Sequence, residues 1–324
     1  MKTSIRWGIL GAGNIAEKFA AALNYTEGAG VYAIASADAG KGKAFAGRHK
    51  ASRQYSRYED LAKDPAVDII YIATPHAFHY EQTLLCLRHG KAVLCEKPLA
   101  LNYSQASAMV NEARKQELFL MEGMWTRFMP SIIKAKELVD AGAIGALRYI
   151  QADFGFEAPY NTQGRLYNRA LGGGSLLDVG IYPVFLASFF LGMPSGIQSM
   201  ARKAATGADE YCHALLQYPG GESAHIFSAI NLRTNLRAEL TGTEGRIILP
   251  QPWYKSETLV LELNNGETSS FSFPRGSNGF EYEIQEVTDC LTNGFLECPA
   301  LPLDFSLQMS RLVDEMGKQA GIGY

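Results

Sequence analysis

The chain reads as two α/β domains in tandem, a doubly wound parallel-stranded domain over residues 1–123 followed by a domain built on antiparallel strands over 124–324. Two observations predict this. Strands and helices alternate in the first part, and its central strands are continuous apolar runs, the pattern of a parallel sheet covered on both faces. From Gly142 onwards the runs become short and alternating and are broken by turn residues, as antiparallel strands are. A length of 324 residues also exceeds what one hydrophobic core usually serves.

The elements follow in order. "SIRWGIL" (4–10) is a strand that stops at Gly11, and "NIAEKFAAALNY" (14–25) is a helix with Ile15, Phe19, Ala22 and Leu23 on one face. "VYAIAS" (31–36) is the next strand, followed by the helical "GKGKAFAGRH". "VDIIYIAT" (67–74) and "KAVLC" (91–95) are strands separated by the helix "AFHYEQTLLCLRHG" (77–90), which ends at a C′ glycine. "NYSQASAMVNEARKQ" (102–116) is a helix and "LFLMEG" (118–123) the last strand of the first domain. In the second domain "GALRYIQADFGFE", "YCHALLQYP", "SAHIFSAIN", "LRAELTGTEGRIIL" and "LVLELNNGETSSFSF" are strands, with "LNNGET" as a hairpin turn. Helices at 280–294 and 306–319 close the chain, and the latter is expected to pack back on the first domain.

Composition narrows the function. With 47% hydrophobic and 19% charged residues the chain is globular in type. A net charge of −3 and a pI near 6.1 give no footprint for nucleic acid or an anionic membrane. No long uncharged apolar stretch and no signal peptide are read, so a cytoplasmic protein is expected. Five cysteines without CxxC spacing read as reduced thiols. His76 and His79 share a helix spacing but find no third ligand nearby, so no metal is expected.

"GAGNIA" supplies Gly11, Gly13 and Ala16 as GxGxxA, with Asn14 and Ile15 between them, at a strand-to-helix turn. That context makes it a dinucleotide fingerprint. Gly11 permits the tight turn, Gly13 lets a pyrophosphate approach the backbone, and Ala16 lets helix and strand pack closely. The helix N-terminus offers unpaired N–H groups to phosphate. The place of an NAD-specific acid at the end of the second strand holds Ser36 and Ala37, with Asp38 two steps late. Ser36 tolerates a 2′-phosphate that Lys41 or Lys43 neutralises, so NADP is expected ahead of NAD.

Ligands of open α/β sheets sit outside the carboxyl ends of the strands. "ATPHAFH" leaves one strand with Thr74 and Pro75, and "VLCEKPLA" leaves the next with Glu96 and Lys97. Burying either charge unpaired costs several kcal/mol, which calls for a solvated exit, a partner or a task. "GGGSLLDVGIYPVFLASFFLG" (172–192) is a glycine-led apolar helix on which Asp178 and Tyr182 lie four apart, hence on one face. A carboxylate beside a phenol on so apolar a helix demands hydrogen bonds for both.

"GAGNIA", "ATPHAFH", "CEKPLALN", "MEGMWTRFMP" and "GGGSLLDVGIYP" together resemble, in order and spacing, the glucose–fructose oxidoreductase, inositol dehydrogenase and rhizopine-catabolism (Gfo/Idh/MocA) family. Within it, "MEGMWTRFMP" and Tyr182 look most like the dimeric dihydrodiol dehydrogenase and xylose-dehydrogenase-like branch. The resemblance implies an N-terminal Rossmann domain and a C-terminal α/β domain with a large open, mainly antiparallel sheet. It places the family's catalytic lysine on Lys97, its helix carboxylate on Asp178 and its acid/base residue on Tyr182. Trp125 and Arg127 match its substrate wall, and Phe154 is a further candidate there with Phe156, Tyr160, Arg165 and Tyr167. His79 and Glu96 join the cofactor loops. NADP-using members of that branch often carry Arg where this chain has Ala37, and Ser36 with Lys41 resembles another solution in the family.

The expected activity is hydride transfer between nicotinamide and a hydroxyl or carbonyl carbon of a sugar, polyol or cyclic dihydrodiol. Tyr182 or Lys97 takes the proton and Asp178 supports the pair. The proposition behind this is that Lys97 and Tyr182 meet over the nicotinamide. Two rival classes share the fold: a non-catalytic NAD(P)-binding sensor, and a reductase of C=N or C=C bonds. A homodimer or homotetramer through the second domain's sheet is also expected.

Overall fold

The computed structural model describes residues 4–323, which form two compact units. One takes the chain through Trp125 together with Arg275–Leu307; the other takes Thr126–Pro274 and the chain from Gln308 on.

The first unit alternates β1 (Ile5–Leu10), α1 (Asn14–Leu23), β2 (Ala29–Ala35), α2 (Ala39–His49), β3 (Arg53–Tyr55), α3 (Tyr58–Lys63), β4 (Ile69–Ile72), α4 (His79–Arg88), β5 (Ala92–Glu96), α5 (Tyr103–Gln116) and β6 (Leu120–Gly123). Every neighbouring pair is parallel, in the order β3-β2-β1-β4-β5-β6. The order reverses between β1 and β4, and that switch point is where such sheets bind ligands. β4 and β5 are buried at every residue, which their unbroken apolar runs anticipate. Between β1, α1 and β4 the packing is aromatic: Phe19 stacks on Tyr71 at 3.7 Å between centroids and meets Trp7 edge-on at 5.2 Å. Such pairs contribute about 0.5–1.5 kcal/mol each beyond their buried area.

The second unit opens with α6 (Pro130–Asp140), β7 (Leu147–Gly155) and α7 (Ile181–Leu191). It continues through β8 (Gly196–Lys203), β9 (Asp209–Gln217), β10 (Ser223–Ala229), β11 (Ala238–Gly242), β12 (Gly245–Leu249), β13 (Thr258–Leu263) and β14 (Thr268–Ser272). Its eight strands run β14-β13-β12-β11-β7-β10-β9-β8, antiparallel throughout except for the parallel β7–β10 pair. α7 packs on β7 and β10, and Ala214 and Leu216 of β9 are buried while Leu215 between them stays half-exposed. The segment Arg169–Leu191 is long and apolar enough by composition to cross a membrane, but 83% of its most apolar 18-residue window is buried. Its second half, α7, is the core helix of this sheet.

α8 (Phe280–Thr292) returns to the first unit, where it packs on α1 and β2, and the chain passes between units within α9 (Leu303–Gln319). The sequence reading lacks β3, α3, α6 and β8. β3 and α3 are too short for a periodic signal, at 3 and 6 residues. α6 starts with a proline at its first turn, the last residue of the stretch read only as a motif.

Candidate active site

At the switch point the chain turns from β1 into α1 through Gly11 and Gly13. Gly11 has φ +103°, and a Cβ there would sit 3.0 Å from the Ala73 carbonyl oxygen at the exit of β4. Only glycine tolerates both the dihedral and the contact. Gly13, the N-cap of α1, is extended and exposed, and a Cβ on it would meet nothing within 4 Å. Among the described residues no side chain caps this helix end, so its first N–H groups face open space beside exposed Asn14 and half-buried Ile15. Ala16 is fully buried beneath. An N-terminus left uncapped, with room for a group and backbone donors aimed into it, fits a dinucleotide pyrophosphate.

At the end of β2, Ser36 is buried and its hydroxyl accepts the Asp38 N–H at 3.2 Å. Asp38 caps α2, its carboxylate accepting the Lys41 N–H at 3.0 Å and lying 3.8 Å from the exposed Lys41 ammonium. The late acid therefore has a structural role of its own.

The exits of β4 and β5 are tied together by His79. It is fully buried, and its two ring nitrogens lie 2.9 Å from the carbonyl oxygens of Thr74 and Pro98. Burial pushes its pKa down, against the two carbonyls, which favour the charged ring, and with the help of nearby Lys97. Thr74 and Pro75 line this exit half-buried, and the Thr74 hydroxyl donates to Gln82 at 2.5 Å. Glu96 is 5% exposed and accepts a hydrogen bond from the buried Tyr71 phenol. Lys97 follows at the strand mouth, half-buried, joined to Pro98 by a cis peptide. Glu122, the β6 neighbour of Cys95 in register, is 3% exposed and accepts the Leu99 N–H at 2.9 Å. Burial raises its pKa, opposed by that N–H and by Lys97. Trp125 is buried against Phe280, rings stacked at 4.7 Å.

In the second unit the turn before α7 is held from two sides. A Cβ on Gly173 would lie 2.5 Å from the Arg165 carbonyl oxygen and 2.7 Å from that of Leu166, so the glycine lets the 160–174 segment fold against it. The fully buried Asp209 accepts the Ser175 hydroxyl and the Leu176 N–H, each at 2.7 Å. The segment Leu176–Gly180 then winds as one wide π-type turn before α7 begins. The four-residue spacing of Asp178 and Tyr182 thus spans a change of helix type, not the uniform α-helix expected. Wide turns of this kind recur at functional sites.

Asp178 is 5% exposed and accepts from the Arg165 guanidinium at 2.7 Å, with most of Arg165 in solvent. One turn on, Tyr182 is buried in a cluster with Phe154 at 5.2 Å and Tyr254 at 5.5 Å, and Phe154 stacks on Tyr254 at 4.2 Å. The Arg127 guanidinium lies 4.6 Å over the Phe189 ring, a cation–π contact. Tyr160 is exposed and packs edge-on against buried Tyr167 at 4.8 Å, while Phe156 is half-buried.

Sequence reasoning missed Tyr71, Glu122, Tyr254 and Glu283. Tyr71 was read only as part of a strand and Tyr254 lies outside every element read. Glu283 carried a usable signal: it shares the apolar stripe of Phe280, Ile284 and Val287, where a carboxylate is out of place. Glu286, Cys290 and Cys298 also bring ligand atoms within 4.8 Å of one another, and the Cys298 thiol donates to Glu286 at 3.5 Å.

The parallel sheet, its glycine turn and its uncapped helix define a dinucleotide-binding α/β protein of the Rossmann type. Family models match twice: "Oxidoreductase family, NAD-binding Rossmann fold" over residues 5–124 and "GFO/IDH/MocA C-terminal domain" over 132–248. The chain is 36% identical over 330 residues to human trans-1,2-dihydrobenzene-1,2-diol dehydrogenase, covering 99% of this chain and 98% of that one. The mouse enzyme of the same name is also 36% identical. Among solved structures, aldose-aldose oxidoreductase from Caulobacter crescentus superposes with a TM-score of 0.89 at 26% identity, covering 99% of this chain and 98% of that one. A 3-ketoreductase from Actinomadura kijaniata, solved with NADP and TDP-benzene, gives 0.87 at 27%, covering 98% of each chain. The chain belongs to the Gfo/Idh/MocA oxidoreductase family. It is an NAD(P)-dependent oxidoreductase.

Proposed function

We propose that this oxidoreductase interconverts a secondary hydroxyl and a carbonyl on a polyhydroxylated, ring-shaped substrate, a sugar, polyol or dihydrodiol, and that it uses NADP ahead of NAD. The observation that carries the reading is the second unit's constellation: a buried carboxylate, Asp178, one turn before a phenol, Tyr182, set among the Phe154 and Tyr254 rings. Aromatic faces suit the C–H side of a ring, and the carboxylate and Arg165 suit its hydroxyls. The names of the dihydrodiol and aldose relatives point to the same substrate class.

Gly11, Gly13, Asn14, Ile15 and Ala16 hold the pyrophosphate, Ser36 and Lys41 the 2′-phosphate, and Thr74, Pro75, His79 and Glu96 the nicotinamide end. The bound nicotinamide supplies or takes the hydride. Tyr182 exchanges a proton with the substrate oxygen. Lys97 favours its phenolate as an ammonium, or takes that proton itself as the neutral amine. Asp178 orients the substrate hydroxyls, with Trp125, Arg127 and Phe154 as walls.

Lys97→Ala and Tyr182→Phe are expected to lower kcat by about 10²–10⁴-fold while NADP still binds. The assay is reduced-nicotinamide absorbance across aldoses, inositols, dihydrodiols and imines with either dinucleotide. Wild-type turnover in both variants, or turnover of imines alone, refutes the reading. Met200 and Leu215, 66% and 51% exposed on adjacent strands β8 and β9, support a homodimer or homotetramer through this sheet. A monomer by sedimentation at micromolar concentration excludes it. The five free thiols suit the cytoplasm.

A further inference from the structure

Helix α8 begins with two buried carboxylates of opposite fate. Glu281 accepts the Ser277 N–H at 2.9 Å and the Gly279 N–H at 2.7 Å, closing its own helix end. Two residues on, Glu283 is 0% exposed, and neither of its oxygens has a hydrogen-bond partner among the described residues. A bare carboxylate in such a place costs many kcal/mol, so the group sheds its charge instead.

Its surroundings reinforce this. Phe280, one turn earlier on α8, stacks on Trp125 and meets Phe19 edge-on at 6.0 Å, and Phe19 stacks on Tyr71, the donor to Glu96. Burial, together with Glu96 and Glu122, pushes the Glu283 carboxyl well above the usual carboxylate range. Three carboxyls at 5%, 3% and 0% exposure thus share one interior, and Lys97 is the cation acting on Glu122. Like charges so placed do not all ionise. Cys95, also there, is held as a thiol by burial and the same two acids, and Glu17 of neighbouring α1 is occupied with Arg48 and His49.

We propose that Glu283 is a positioning residue for Lys97: as the neutral member of the carboxyl cluster it donates a hydrogen bond, across one buried water, to the Glu96–Glu122 pair. It thereby keeps that pair negative behind the lysine. Buried water is the usual partner of such orphaned oxygens. Glu283 touches neither substrate nor cofactor in this scheme; it sets the proton affinity of Lys97 from behind the strand, and so rests on the role given to Lys97 above.

The test uses Glu283→Gln and Glu283→Leu in the full-length protein. Gln keeps a neutral donor and Leu removes it. In the Leu variant the limb of the kcat/KM pH profile governed by Lys97 moves to lower pH by about half a unit or more, since the acids behind it lose charge. Gln restores the wild-type limb. Infrared spectra near neutral pH show the carbonyl stretch of a protonated carboxylic acid in the wild type that Gln abolishes. Any one of three results overturns the proposal: no such band in the wild type, a limb displaced by Gln as far as by Leu, or a folded Leu variant with an unmoved limb. The infrared band is read without turnover. An intact band with wild-type turnover in Lys97→Ala therefore faults the reading of Lys97 and not the neutral acid.

Discussion

Replacing Gly13 by alanine separates cofactor binding from folding. Its φ of −88° and ψ of 178° are open to any residue, and the added methyl meets nothing within 4 Å. Stability therefore falls by no more than about 1 kcal/mol, the difference between glycine and alanine at an N-cap. The methyl instead occupies the approach of the pyrophosphate to the first N–H groups of α1. Losing one charge-assisted hydrogen bond of about 1.5–3 kcal/mol weakens the dinucleotide about 10- to 100-fold. Gly11→Ala is the contrasting variant. Its φ of +103° and the 3.0 Å approach to the Ala73 oxygen put strain into the fold itself. That costs about 2–3 kcal/mol, lowering Tm by about 4–12 °C. Calorimetric titration with NADP and thermal melts of both variants give the answer. Gly13→Ala with wild-type NADP affinity, or with a melting loss equal to that of Gly11→Ala, refutes the assignment of this turn.

Lys41→Ala is expected to raise the Kd for NADP about 3- to 10-fold and leave that for NAD unchanged, the lysine being largely exposed and already near Asp38; equal losses for both dinucleotides count against a 2′-phosphate contact. Glu283 makes stability depend on pH in a definite sense. A carboxyl whose pKa is raised on folding favours the folded state only while protonated, and this advantage is lost as pH climbs above the ordinary carboxylate range. Glu283→Gln therefore gains on the wild type as pH rises from about 5 to about 8 in urea unfolding. A difference that is constant or reversed across that range contradicts a raised pKa.

The parallel strands were legible because burial on both faces leaves them as unbroken apolar runs, and GxGxxA because its turn has few chemical alternatives. β8 was not: its residues are mostly half-buried or exposed, so "GIQSMARK" offers little apolar signal. Asp178 and Tyr182 were found by residue type, while the π-type turn between them depends on the Asp209 anchor 31 residues beyond Asp178, which no local pattern carries. The same limit hid Tyr71 beneath Glu96. A carboxylate's partner from another strand belongs to the register of the sheet, and register appears only when the chain has paired.

The first unit is assembled from chain segments made far apart in time. Asn278 donates to the Lys18 carbonyl across 260 residues, the Leu120 N–H donates to Leu296, and the Phe280 ring closes over Phe19 and Trp125. On a ribosome, the nucleotide-binding sheet emerges first yet stays without this cover until every strand of the antiparallel sheet has been synthesised. Closing contacts of such long range is slow, and meanwhile an apolar face lies open to chaperones and to neighbouring chains. A nascent chain halted before residue 275 is the form of this protein most in need of a holdase.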